Sequence, residues 1–218
     1  GSARWKFRRN LASGKLGRGL AGGNAVVFKP ARMTPLMGER LAAAFVDAGL
    51  PPGVLNVVHG FAAGAHLVAD ERVGAITFTG SNATGRKIHA AVGIGRRAQL
   101  ELGGKNPVVV LADADLDAAA AVVARSSFSL TGQACTGAGR ILVDDRVHDE
   151  LLDRVVELAG EYVLGPGLSP GVTMGPLVDD DAAVAMDGVI EIAVGDGARV
   201  ACGGLRPENP ELAPGAFY

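Results

Sequence analysis

Cysteine is nearly absent from this chain of 218 residues, where Cys135 and Cys202 are the only two. They form no CxxC and stand in no Cys/His spacing, which argues against a zinc site and a disulfide framework. A reducing, cytoplasmic setting is therefore the default expectation, and no metal is expected. Aromatic residues are scarce at 5%. Neither sign of charge dominates, since 21 Lys and Arg face 23 Asp and Glu for a net charge of -2. A nucleic-acid partner is accordingly not expected. The basic start, Arg4, Lys6, Arg8 and Arg9, is too short and too poor in stacking aromatics to read as more than a solvated end. Long apolar runs are missing too, so no membrane partner is expected, and no secretory signal is visible. What remains is a chain that is 48% hydrophobic and 20% charged, enough for one or two cored domains.

The apolar runs come in an alternating order. "NAVVF" (24–28), "VLNVV" (54–58) and "VGAITF" (73–78) read as short strands, and a helical pattern follows each. After the first, Thr34 is placed to cap a helix with Pro35 at its first position. Met37, Leu41, Ala44, Phe45 and Ala48 share one face, and Gly49 and Pro51 stop it. This order predicts a parallel sheet with right-handed crossovers, the core of a Rossmann-like dinucleotide-binding fold. A second α/β unit is expected from about Leu102, giving domains 1–101 and 102–218. In it, "NPVVVLADADLDAAAAVVARSSF" predicts a strand and an Ala-rich buried helix with an acidic start. "GRILVDDRVHDELLDRVVELAG" repeats that order, with Val147, Leu151, Leu152, Val155 and Leu158 on one stripe. A helix over about 180–194 and a strand near "ARVACGG" complete the reading.

Three places carry candidate chemistry. In "FTGSNATG", Gly80 and Gly85 let backbone approach an anion, Ser81 offers a hydroxyl, and a helix start donates N–H groups. A structural Gly-rich turn reads equally well there, although the carboxyl end of a parallel strand is where such sheets bind ligands. Glu101, between leucines and before paired glycines in "LELGGK", is expected to be poorly solvated, which would raise its pKa toward that of a general base. An edge-strand Glu in a salt bridge is the alternative. Cys135, in "TGQACTGAGR", reads as a small buried hydrophobe or as a loop thiol open to activation. Cys202, ending an apolar run, is read as structural.

Taken in order, "GNAVVFKP", "AGLPPGVLNVVHG", "ITFTGS", "LELGGKNPVVVLADADLD", "GQACT", "GRILV" and "MGPL" resemble the aldehyde dehydrogenase superfamily from about residue 4 to the last residue. The pairing of "LELGGK" with "GQAC", which sets Cys135 34 positions after Glu101, is that family's catalytic pair. The resemblance implies an aldehyde dehydrogenase fold, a partial cofactor domain followed by a partial catalytic domain. It also implies NAD(P)-dependent oxidation of an aldehyde to a carboxylic acid. Cys135 attacks the aldehyde, hydride leaves the thiohemiacetal, and Glu101 activates the water that hydrolyses the thioester. The implied cofactor-binding set is Lys29 at the adenosine ribose, Arg32, Thr79, Gly80, Ser81 at the pyrophosphate, Gly85 and Leu102. Arg32 stands where NAD-preferring members often have an acid beside the ribose 2′-hydroxyl. A guanidinium suits a 2′-phosphate, so NADP is expected to be accepted, or preferred to NAD, unless Arg32 points to solvent.

Two departures from the family qualify the expectation. "RWKFRRN" occupies the place of "PWNFP", putting Lys6 where the family has an oxyanion-stabilising asparagine. Loss of such a donor costs about 100- to 1000-fold in rate. Lys6 either replaces it as a cationic donor, lowers the thiol pKa of Cys135, or plays no part. Family chains are also more than twice as long. This chain resembles their central portion, without the glutamate at the nicotinamide ribose or the strand through which full-length relatives form homo-oligomers. A working dehydrogenase, a truncated relative that binds nucleotide or is merely structural, and a thiol-dependent esterase therefore stay open. "FKPARMTPL" and "LNVVHG" resemble semialdehyde dehydrogenases of sugar-acid breakdown, while the aldehyde itself is not legible.

Overall fold

The computed structural model describes residues 10–218, which divide into two compact units at Gly103/Gly104. In the first unit, β1 (Val26–Phe28) pairs in parallel with β2 (Leu55–Val57), and β3 (Ala75–Thr79) pairs in parallel with β4 (Arg97–Glu101). Parallel neighbours need a crossover, which is supplied by α2 (Pro35–Asp47) in the first pair and α4 (Asn82–Val92) in the second. The short helix α3 (Ala63–Ala69) joins them. The strands expected to share one sheet form two separate ladders among the described residues, because no backbone bonds join β2 to β3.

The first pair is seated on α1 (Asn10–Ala21), a helix that periodicity missed because Gly14, Gly17 and Gly19 each cost about 1 kcal/mol of helix propensity relative to Ala. Tertiary packing overrides that cost. Ala12 and Leu16 on one face of α1 meet Phe28 in a buried cluster, with Leu20, Val26, Leu41 and Phe45 packed around it. Gly19 is small enough for Val26 to close on it. In α2, Pro35 opens the helix as expected, but the Thr34 side chain makes no capping bond. The buried face is Gly38 and Ala42, with Met37, Leu41 and Phe45 half-buried, while Ala44 and Ala48 are exposed. The reason is the Pro30 ring, which lies where a β-carbon at Gly38 would be and so turns that side of the helix inward.

In the second unit, β5 (Asn106–Val110) pairs in parallel with β6 (Ala138–Val143) through the crossover helix α5 (Leu116–Phe128), which Asp115 caps by accepting from Ala118 N at 3.1 Å. A short 3-10 turn leads into α6 (His148–Gly160). Val110, Ala120 and Leu151 form the core here, with Leu116, Ile141, Val155 and Leu158 around them, as the stripe on α6 predicts. Arg154 of α6 links Glu150 at 2.5 Å to Asp117 of α5. α5 is not buried all round: only Ala120, Val123 and Ala124 are inside, and Val122 is 57% exposed. α7 (Asp180–Gly195) is capped by Asp179 and packs Ala183 against Leu177 and Ala216. The strand expected near "ARVACGG" does not form, since no neighbouring strand among the described residues offers it a ladder. Cys202, expected to be structural, is accordingly exposed. No described helix is long and apolar enough to cross a membrane.

Candidate active site

In the first unit the parallel register sets Thr79 opposite Glu101, so the carboxyl ends of β3 and β4 bring most of the sequence-predicted residues together. Gly80 N donates to Glu101 O at 3.0 Å. Ser81 caps α4, its hydroxyl accepting from Thr84 N at 3.3 Å and donating to Thr84 Oγ1 at 3.0 Å. Gly85, one turn into the helix, is buried under Leu102, and a β-carbon there would lie 2.6 Å from Leu102 Cδ2. The second glycine thus serves close helix-strand packing, while Gly80 leaves room for the Phe78 ring. Thr79 is buried at 4% exposure and its Oγ1 has no partner among the described residues. An orphaned buried hydroxyl costs about 1–3 kcal/mol. Thr79→Val, which keeps the shape and removes the hydroxyl, is therefore expected to raise the stability of the ligand-free protein by about 1 kcal/mol in urea unfolding. An unchanged or lower midpoint would mean that the hydroxyl is already satisfied.

Glu101 differs from its expected surroundings. It is exposed, because strand alternation puts it on the same side as Gln99 and Arg97 and turns Leu100 toward the interior. Its partner is Gln99, which donates to Glu101 Oε1 at 3.3 Å, and not a cation. A polar chain continues across the two strands: Thr77 Oγ1 donates to Gln99 Oε1 at 3.2 Å, and Lys15 Nζ of α1 donates to Thr77 Oγ1 at 2.6 Å. Burial lowers the Lys15 pKa from its usual value, and the Glu101 carboxylate opposes that shift. Sequence reasoning had no signal for Lys15, which lies 62 positions from Thr77.

Lys29 and Arg32 follow β1. The Lys29 stem passes Gly64 of α3, where a β-carbon would be 3.4 Å from Lys29 Cδ, and Nζ donates to Pro30 O at 2.8 Å. Burial holds its ammonium below the usual lysine range. Arg32 is exposed, and its guanidinium lies 5.8 Å from the centre of the exposed Phe61 ring.

In the second unit, Cys135 sits in the turn between α5 and β6, half-buried, a free thiol outside the core clusters. The turn is strained. Leu130, Thr131 and Gly132 have φ of 55°, 57° and 66°, and only the last is a glycine. Left-handed backbone costs a non-glycine residue about 1–2 kcal/mol, and such strain persists only where surroundings impose it. Here Thr131 Oγ1 donates to Gly175 O at 2.8 Å, Val178 N donates to Gln133 Oε1 at 3.1 Å, and Gln133 N donates to Leu130 O at 3.1 Å. The "MGPL" segment therefore acts as a clamp on the turn. Asn106, which no sequence pattern singles out within "LELGGKNP", donates through Nδ2 to Cys135 O at 3.0 Å and to Gly137 O at 2.9 Å. Lys6 lies outside the described residues. Among those described, no cluster of three or more His, Cys, Asp and Glu could hold a metal.

Parallel strands joined by crossover helices, with a Gly-Ser turn at the carboxyl end of β3, define an α/β protein. The chain belongs to the aldehyde dehydrogenase family, whose model matches residues 3–218. It is 42% identical to mouse aldehyde dehydrogenase 1A1 over 209 residues, 94% of this chain and 42% of that one. It is 39% identical to betaine aldehyde dehydrogenase of Bacillus subtilis (strain 168) over 217 residues, 98% of this chain and 44% of the other. The fold matches Staphylococcus aureus betaine aldehyde dehydrogenase in complex with NAD+ at a TM-score of 0.96 and 29% identity, covering 100% of this chain and 44% of that one. It matches an E. coli NADP dependent enzyme at 0.93 and 37% identity, covering 100% and 45%. The chain thus spans less than half the length of these relatives.

Proposed function

We propose that this chain is the central part of an NAD(P)-dependent aldehyde dehydrogenase, with residues 1–101 contributing to cofactor binding and residues 102–218 to catalysis. The observation that carries the reading is the setting of Cys135: a half-buried thiol outside the core clusters, on a turn whose left-handed backbone is imposed by the clamping segment. Its sulfur adds as thiolate to the aldehyde carbon and forms a thiohemiacetal oxyanion. The nicotinamide, when bound, supplies the hydride acceptor. Loss of hydride from the former aldehyde carbon leaves a thioester on Cys135. Glu101 takes a proton from water as that water adds to the thioester carbonyl, and the thiolate departs, releasing the carboxylic acid. The exposure of Glu101 suits a base that must meet water, and the Gln99 amide orients its carboxylate. Lys6 stands at the position of the family asparagine, where a cation would serve the oxyanion.

The residues fit a dinucleotide. The Gly80 turn and the Ser81-capped start of α4 would offer helix N–H groups to phosphate oxygens, next to the Thr79 hydroxyl that has no partner among the described residues, while Leu102 over Gly85 packs the helix against the strand. Lys29 and Arg32 would hold the adenosine ribose and its 2′ substituent. Relatives include one structure with NAD+ and one NADP dependent enzyme, so the choice rests on this chain's own residues. Arg32, braced on Phe61, favours a 2′-phosphate. Arg32→Glu is expected to weaken NADPH binding relative to NADH by about tenfold or more, read by quenching of intrinsic fluorescence. A preference for NAD in the unsubstituted chain would overturn that assignment.

The overall reading is tested by following reduction of NADP, and separately NAD, with a short aliphatic aldehyde. Reduction supports a working site. Ester cleavage without reduction supports a thiol esterase, and neither, from a folded chain, supports a nucleotide-binding or structural polypeptide. Semialdehydes are the first substrates to compare. Homo-oligomers are expected of the full-length protein, and two free thiols suit a reducing compartment such as the cytoplasm.

A further inference from the structure

We infer that Asn106 is a positioning residue for Cys135, a role that rests on the reading of Cys135 as the nucleophile. Asn106 opens β5, and the next residue is Pro107, which has no N–H to give the ladder. The register slips at this point: Asn106 pairs with Ala138 but Pro107 pairs with Arg140, leaving Gly139 as an extra residue in β6. The chain entering β6 therefore loses backbone tethering just after the cysteine turn. The Asn106 amide replaces it, and the two Nδ2 protons go to two carbonyls of that turn, Cys135 O at 3.0 Å and Gly137 O at 2.9 Å. Both acceptors are carbonyls, so only the nitrogen of the amide can serve them, which settles its orientation. Gly104 leaves space beside the other end of the amide, since a β-carbon there would lie 3.3 Å from Asn106 Oδ1. The Lys105 methylenes cover Gly139.

Asn106 touches no reacting atom. Its bond to the carbonyl of Cys135 holds the peptide plane after the cysteine and so restricts the Cα–Cβ bond about which Sγ rotates. The strained Leu130–Thr131–Gly132 segment lies just upstream of the thiol, and the amide bonds hold the cysteine itself and the chain downstream. Anchoring on both sides keeps the strain from relaxing through the residues that carry the thiol.

The test compares two reactions at each cysteine of the same chain, with Cys202 as an exposed reference thiol. With p-nitrophenyl acetate, the thiolate sulfur bonds to the acetyl carbon, the ester C–O bond breaks, and p-nitrophenolate leaves with the electron pair while the thiol proton goes to buffer. With iodoacetamide, sulfur displaces iodide and needs only thiolate and access. The ratio of acylation to alkylation rates, read by peptide mass spectrometry, thus reports orientation toward a carbonyl apart from thiolate fraction. In the unsubstituted chain the ratio at Cys135 is expected to exceed that at Cys202 by about tenfold or more, and Asn106→Ala should bring it close to the Cys202 value with Cys202 unchanged. Equal ratios at both cysteines in the unsubstituted chain would overturn the nucleophile reading itself. A high ratio that survives Asn106→Ala in a chain with native circular dichroism would overturn the positioning role alone. Should Asn106→Ala not fold, Asn106→Ser, with one donor on a shorter stem, decides: a ratio below that of the unsubstituted chain supports the role and an equal one overturns it. If neither variant folds, Asn106 is a structural anchor and the role is rejected.

Discussion

Cys135→Ala is expected to abolish aldehyde-dependent reduction of NAD or NADP completely, while Glu101→Gln should stop the reaction half-way. On the proposed route alanine removes the atom that would bond to substrate, so no thiohemiacetal would form and no hydride would become available. Glutamine keeps the size of Glu101 and its contact with Gln99, whose amide donates at 3.3 Å, but cannot accept a proton from water. Removing a general base typically costs about 100- to 10000-fold. That loss should fall on the second step alone. Rapid mixing of the Glu101→Gln chain should therefore show one equivalent of reduced cofactor per active thiol, followed by a stall, with the acyl group visible as added mass on the peptide carrying Cys135. Full turnover by Glu101→Gln would remove Glu101 from the base role. Turnover by Cys135→Ala would falsify the covalent route.

Phe28→Ala should be among the most damaging core truncations. Phe28 is 2% exposed, packed against Ala12 and Leu16 of α1 and ringed by Val26, Leu41 and Phe45. Truncating a buried phenylalanine to alanine costs about 3–5 kcal/mol through lost transfer energy and the cavity left behind. Whole domains are stable by only about 5–15 kcal/mol, so a large share would go. Because β1 leads directly into Lys29 and Arg32, the loss should also weaken the proposed nucleotide binding at temperatures where the chain is still mostly folded. The control is Phe61→Ala. Phe61 is 86% exposed, and its removal should change stability by no more than about 0.5 kcal/mol while releasing Arg32 from its ring contact. Urea unfolding midpoints for the two variants check both statements, and a cost below about 1 kcal/mol for Phe28→Ala would mean that the α1 face is not a core.

Much of the fold was legible because neighbours along the chain encode it. Apolar runs at strand length, the Gly49 stop, the acidic start of α5 and the α6 stripe each follow from patterns shorter than about 18 residues, whereas the Asp115 and Asp179 caps are not among those readings and the expected Thr34 cap makes no bond. The readings that failed depended on partners elsewhere. α1 is rich in glycine and forms because Phe28 covers its Ala12–Leu16 face. "ARVACGG" has the composition of a strand and lacks a ladder. Glu101 sits between leucines, yet alternation and the β3 register, not its immediate neighbours, decide that it faces solvent and Gln99.

What the sequence by itself determined is the chemistry available: a thiol at position 135, a carboxylate 34 positions before it, a Gly-Ser turn after a strand and a cation at position 32, in an order that the family match bears out as aldehyde dehydrogenase. Only the tertiary structure decided how those groups are held. The orphaned Thr79 hydroxyl, the Lys15–Thr77–Gln99–Glu101 chain, the left-handed turn at Leu130 and Thr131, and the Asn106 clamp join residues up to 62 positions apart. Local composition encodes side-chain chemistry and backbone preference. Hydrogen-bond partners and burial exist only once distant segments have met.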